Sequence, residues 1–138
     1  KLDNVVLQEN DVLLNITGAS VARCCLAPAS VVSGRVNQHV SIIRTDDRIK
    51  PVFLEAFLLF PNTKKKLLLI AEAGATRQAI TKAQIEGFSI PVPMISDQDK
   101  FVERRNKAIK IQSLLQKQFI MFESLFSSLQ QRVFRGEL

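Results

Sequence analysis

The chain has 138 residues, 46% of them hydrophobic, which suits one modest domain with an appendage. Its net charge of +6 allows a nucleic acid or an acidic membrane as partner, but an ordinary basic protein has the same balance. No secretory signal pattern and no apolar run long enough to span a bilayer occur, so we expect a cytoplasmic protein. The adjacent Cys24 and Cys25 lack the spacing of a zinc site or redox pair, which favours reduced packing residues.

The first third of the sequence predicts short strands separated by turns. These segments are rich in β-forming residues or alternate between apolar and polar positions. The predicted strands are residues 12–16, 21–26, 31–32 and 36–44. The turn at 18–20 joins the first two into a plausible hairpin, and Asp46 and Asp47 belong to a polar turn after the last.

Helices are predicted next. Pro51 suits the first turn of a helix, because its missing N–H needs no partner there, and residues 52–60 are apolar nearly all round. After a break at 61–62, Thr63 is a candidate N-cap for a second helix over 64–73.

A short connecting segment follows. Thr81 and Gln84 have the spacing of a capping box, which predicts one helical turn. Residues 87–92 predict a last strand, in which Pro91 restricts the backbone.

Residues 96–134 predict one long helix, with Ser96 as its N-cap. Apolar side chains recur along it at heptad spacing, which favours pairing with a second helix, because a rod roughly 55 Å long cannot bury its stripe against so small a domain. The predicted pairing residues are Phe101, Ala108, Leu115, Phe119, Phe122, Phe126, Leu129 and Val133.

Several segments, in this order, follow the pattern of a known family. They are residues 11–20 (DVLLNITGAS), 36–44 (VNQHVSIIR), 74–80 (GATRQAI), 90–93 (IPVP) with Asp97 and Gln98 opening a long helix, and 134–138 (FRGEL). Together they resemble a target recognition domain and spacer helix of the specificity subunit of type I restriction–modification enzymes.

The resemblance implies an α+β fold: a small, twisted, mostly antiparallel sheet with short helices, then a long coiled-coil helix. It implies an N-terminally incomplete recognition domain over residues 1–95 and a spacer helix over 96–138.

The implied function is sequence-specific recognition of double-stranded DNA. The spacer helix would pair with a second one, from another copy or from the missing half of the subunit, and dock the methyltransferase subunits. Restriction subunits would join indirectly. Such a chain is not itself an enzyme and holds no cofactor, because the methyl donor and ATP bind other subunits.

Base edges are read by Arg, Asn and Gln, and phosphates by Arg, Lys and small hydroxyls. Three clusters near predicted loops contain these residue types. The alternative interpretation is that they are ordinary polar loop residues, with Asn37 and Gln38 stabilising a turn. The candidate DNA-binding residues are Asn15, Thr17, Ser20 and Arg23; Arg35, Asn37, Gln38 and His39; and Thr76, Arg77 and Gln78.

Catalysis has little support, because His39 is the single histidine and no metal-ligand cluster or phosphate loop occurs. Two other functions fit the sequence. The chain would be a protein-interaction adaptor whose helix is the functional part, without DNA contact, or the recognition fragment of a fused DNA methyltransferase.

Overall fold

The computed structural model describes residues 6–73 and 78–137. Contacts within the chain divide it into two compact units, one ending at Asp99 and one beginning at Lys100. The strands and helices, in chain order, are β1 (Val12–Asn15), β2 (Cys24–Leu26), β3 (Val40–Ile43), α1 (Pro51–Leu59), α2 (Pro61–Glu72), α3 (Lys82–Glu86) and α4 (Ile95–Phe134). The predicted α+β class, with a small antiparallel sheet, short helices and a long C-terminal helix, is confirmed.

The sheet has the order β2-β1-β3, and both pairings are antiparallel, as the predicted hairpin required. Val12 and Leu14 of the central strand are fully buried. Leu13 is paired with Cys25 on one side and with Ile42 on the other, so these side chains share the opposite face of the sheet. One face therefore supports the core, and the side chains of the other face are half-buried or exposed.

The core of the first unit lies between the sheet and the helices. Its buried residues include Val12, Leu14, Leu54, Leu58, Leu67, Ala71 and Ile80. Phe88 and Ile90 pack against this cluster although their segment forms no strand.

Two predicted strands are wrong. Residues 31–32 belong to a 3₁₀ turn, Ala29–Val31, and its exit, where Val31 N–H donates to the carbonyl of Pro28. Residues 87–92 contain no strand. Pro91 and Pro93 have no backbone N–H to donate to a ladder, which disfavours a strand in this segment.

The boundary between α1 and α2 also differs from the prediction. Thr63 is not an N-cap, because α2 begins at Pro61 and Thr63 is buried inside the helix. Proline fits the first position of a helix because its missing N–H would have no intrahelical partner. Pro61 thus begins α2 directly after Phe60, just as Pro51 begins α1.

The capping box before α3 is confirmed. The Gln84 N–H donates to Thr81 Oγ1 at 3.3 Å, and the Thr81 N–H donates to Gln84 Oε1 at 2.8 Å.

Helix α4 begins one residue earlier than predicted. Ser96 lies within its first turn and is not the N-cap, because the N–H groups of Asp97 and Gln98 both donate to the carbonyl of Met94. From Ile109 onward its large apolar side chains are exposed, including Leu115, Phe122 and Phe126. In the described residues no helix is apolar enough over a sufficient length to cross a membrane.

Candidate nucleic-acid interface

The first two candidate clusters meet at the end of strand β1. The N–H of Asn15 donates to the carbonyl of Arg23 at 2.8 Å, and the N–H of Ile16 donates to the carbonyl of His39 at 2.9 Å. Because β1 is the central strand, its last residues contact both neighbouring segments at once. Residues 15–23 and 35–39 are therefore brought together although the sequence separates them.

An open depression of about 510 Å³ lies where these segments meet. Four polar side chains line it: Asn15, Arg23, Arg35 and Asn37. The rest of its lining comes from the sheet and the segment before β3, namely Leu13, Cys24, Cys25, Val36 and Val40. The side chains of Arg23 and Arg35 carry positive charge at an exposed surface.

Both asparagines of the depression use their amide oxygen locally. Asn15 Oδ1 accepts the N–H of Thr17 at 3.2 Å, and Asn37 Oδ1 accepts the N–H of His39 at 3.0 Å. These bonds, two residues forward, are the Asx turns that Asn forms at chain reversals. The amides are therefore fixed in orientation by their own backbone.

Thr17, Gln38 and His39 form a second group beside the depression, and none of them lines it. Thr17 Oγ1 and His39 Nδ1 are hydrogen-bonded at 2.6 Å. A longer contact of 3.4 Å joins Gln38 Nε2 to His39 Nε2. Ser20 lies in the 3₁₀ turn Gly18–Ser20, also outside the lining, and its carbonyl accepts the N–H of Arg23.

Of the third cluster, Thr76 and Arg77 lie outside the described residues. Gln78 is exposed, and its amide donates to Glu72 Oε1 at 3.1 Å. Its carbonyl accepts the N–H of Gly18 at 3.0 Å, and an isolated bridge joins Thr17 to Ala79. The backbone of Gln78 thus adjoins the first cluster.

Three arginines near the sheet, Arg23, Arg35 and Arg44, differ in the partners of their side chains. The side chains of Arg23 and Arg35 make no hydrogen bond or ion pair with any residue in the described ranges 6–73 and 78–137. Arg44, in contrast, donates from Nε and Nη2 to Asp11 at 2.7 and 2.8 Å. Of these three arginines, Arg23 and Arg35 therefore keep their guanidinium donors free of partners in the described ranges.

The Asp11–Arg44 pair is a structural element that sequence reasoning missed. Asp11 is 1% exposed and also accepts the N–H of Gln8 at 2.7 Å. The hydrogen bond from Arg44 lowers the pKa of Asp11, and burial opposes this only in part. No local signal marks the pair, because its members are 33 residues apart.

Gln98 has a specific structural role, whereas the sequence marks it only as part of the family pattern. Its side chain is fully buried; Oε1 accepts the N–H of Lys50 at 2.8 Å, and Nε2 donates to the carbonyls of Arg48 and Pro93. It thereby holds the loop before α1 against the start of α4.

The two cysteines face opposite sides of β2. Burial, with smaller contributions from Glu55 and Cys25, raises the pKa of the Cys24 thiol to about 12. Cys25 is exposed and lines the depression. Within the described part of the chain no three His, Cys, Asp or Glu side chains are grouped to hold a metal ion.

Comparison with known proteins assigns no family. No protein-family model matches the chain, and no curated protein sequence matches it either.

Proposed function

We propose that the chain recognises double-stranded DNA in a sequence-specific manner, as part of the specificity subunit of a type I restriction–modification system. The observation that carries the DNA-binding part is the depression lined by Asn15, Arg23, Arg35 and Asn37. Two arginines without an intramolecular partner in the described residues, beside two fixed amides, are suited to hydrogen-bond acceptors on a nucleic acid. The net charge of +6 supports the same partner.

The restriction–modification context rests on the sequence resemblance of the five segments between residues 11 and 138. Within such a system the proposed partners of this chain are methyltransferase subunits and a second long helix. The features of helix α4 support the second of these partners. The apolar residues of α4 from Ile109 onward are exposed at heptad spacing, and covering them requires another apolar surface.

Binding to a pool of random duplexes at low and high salt tests the DNA-binding proposal. We expect enrichment of a sequence motif and a steep loss of affinity with salt, because each neutralised phosphate releases counterions. Replacing Arg23 or Arg35 by Ala should cost about 1–3 kcal/mol on the enriched duplex if either reads a base.

Arg48→Ala is the matched control. It removes the same charge from an exposed arginine, but Arg48 is paired with Asp46 at 2.8 Å and does not line the depression. If all three variants lost the same affinity on every duplex, the arginines of the depression would contribute only general charge attraction. If no duplex binds under any condition, DNA recognition is excluded, and the exposed face of α4 favours the adaptor function.

Helix pairing has its own test, sedimentation of the whole chain at micromolar concentration. We expect self-association that Phe122→Asp weakens, whereas Gln131→Asp, about 180° away around α4 at about 100° per residue, should not. A strictly monomeric chain with an intact α4 would contradict pairing between copies.

A further inference from the structure

The polar lining of the depression offers hydrogen-bond donors in preference to acceptors. Arg23 and Arg35 carry guanidinium groups, which have N–H donors and no acceptor. Asn15 and Asn37 each have one acceptor oxygen, and both oxygens are already bonded to backbone N–H groups. Each amide oxygen keeps a second lone pair, but the N–H donors of the two amide NH₂ groups and the two guanidiniums outnumber these remaining acceptor positions.

The orientation of these amides follows from their donors. A flipped Asn37 amide would set its NH₂ against the N–H of His39, two donors facing each other, and the same holds for Asn15 against Thr17. The turn bond directs the oxygen toward its own chain and uses one of its two lone pairs, which disfavours the two-bond contact with adenine, in which the oxygen accepts from N6 while NH₂ donates to N7.

The position of the depression indicates which groove of the duplex would meet it. The depression includes Leu13 and Cys25, which are paired across β1 and β2 on the outer face of the sheet. Strands β1 and β2 belong to a three-stranded sheet, and the major groove, about 12 Å wide, accommodates β-strands more readily than the minor groove, about 6 Å wide. In the major groove, guanine is the base with two acceptors, N7 and O6, and no donor.

We infer that this depression selects guanine from the major groove, and that Asn15 and Asn37 act there as donors alongside the arginines and do not read adenine. The inference rests on the proposed DNA recognition and narrows its target. Adenine and cytosine both present an amino donor in the major groove, and this lining, in which donors outnumber acceptors, is poorly suited to pair with that donor.

The test begins with the motif enriched from random duplexes by the full chain. The enriched duplexes are then synthesised with 7-deazaguanine in place of guanine, which removes the N7 acceptor and keeps base pairing. We expect about tenfold weaker binding, the effect of one lost hydrogen bond to a charged donor. This measurement needs no variant protein, so it does not depend on the folding of one.

Asn15→Asp and Asn37→Asp provide the second measurement. Aspartate keeps an oxygen to accept the Thr17 or His39 N–H but loses the NH₂ donor. We expect the ratio of affinities for guanine-containing over guanine-free duplexes to fall about tenfold. Because the ratio is measured, general repulsion between the added charge and DNA cancels.

The outcomes separate the two proposals. An enriched motif without guanine, or one insensitive to 7-deazaguanine, overturns the guanine inference and leaves DNA recognition standing. Salt-sensitive binding without any enriched motif means phosphate contacts only and overturns base reading altogether. No binding to any duplex overturns both.

Discussion

The buried amide of Gln98 provides the sharpest test of how the first unit is held together. Gln98→Ala would remove an acceptor from the N–H of Lys50 and a donor from the carbonyls of Arg48 and Pro93. The Gln98 side chain is fully buried, so it shields the three backbone groups that it bonds from bulk water on that side. The substitution should therefore destabilise the unit without touching the candidate DNA-binding residues.

The magnitude follows from the groups left behind. A buried N–H without an acceptor costs about 1–3 kcal/mol, and each lost bond to a carbonyl about 0.5–1.5 kcal/mol. These contributions sum to about 2–6 kcal/mol, and water entering the vacated space restores part of them, so we expect about 3 kcal/mol.

Urea unfolding followed through the methyl NMR signals of Leu54 and Ile80 measures this cost in the core of the first unit. A loss of about 3 kcal/mol corresponds to a midpoint lower by about 2 M urea. Amide hydrogen exchange at Lys50 should accelerate as well, because its N–H loses its acceptor.

Gln131→Ala is the matched control, since it removes the same side chain from an exposed position of α4 and should change stability by less than about 0.5 kcal/mol. If Gln98→Ala were as stable as this control, the three hydrogen bonds would not support the fold, and the structural role of Gln98 would be refuted.

Two further predictions concern charged and reactive groups. Because the folded-state pKa of Asp11 is lowered, its ion pair stabilises the fold above the unfolded pKa of about 3.9 and loses this effect as pH falls through the folded value. Arg44→Met should cost about 2–3 kcal/mol at pH 7, less than the loss of a fully buried pair, because the Arg44 side chain is 44% exposed. Urea unfolding should show that the difference in free energy of unfolding between this variant and the parent protein narrows below about pH 4. A difference that stays constant there would contradict the role of the pair. A maleimide should label Cys25 before Cys24, whose raised pKa leaves little thiolate, and the enriched duplex should slow that labelling. Mass spectrometry locates the label, Cys25→Ser should abolish the fast phase, and equal rates for both thiols would refute the assignment.

Local chemistry was well predicted from the sequence. The capping box of Thr81 and Gln84 and the position of Pro51 at the start of α1 depend on neighbours within one helical turn, so the residue types suffice. The same kind of reasoning failed at Thr63 and Ser96, where a good capping residue lies inside a helix. Capping preference identifies residues able to end a helix, whereas packing and neighbouring residues decide where it begins.

The candidate interface was predictable in its residue types but not in its arrangement. Asn15 and Asn37 were recognised as able to read bases, and Asn37 alternatively as a turn residue. The structure shows the turn bond at both asparagines. Arg23 and Arg35 line one depression because β1 pairs with both β2 and β3. The sequence pattern of each strand does not specify this pairing.

The turn role and the proposed recognition role of these asparagines are compatible, because they use different atoms. The amide oxygen orders the backbone after Asn15 and Asn37, and that bond fixes the orientation of the whole amide group, including its NH₂. A flexible glutamine at either position would carry both groups on a longer side chain and lose more conformational entropy on binding. The Asx turn therefore supplies the preorganisation that a base-reading donor requires, so a residue chosen for its turn chemistry is also fixed for contact with DNA.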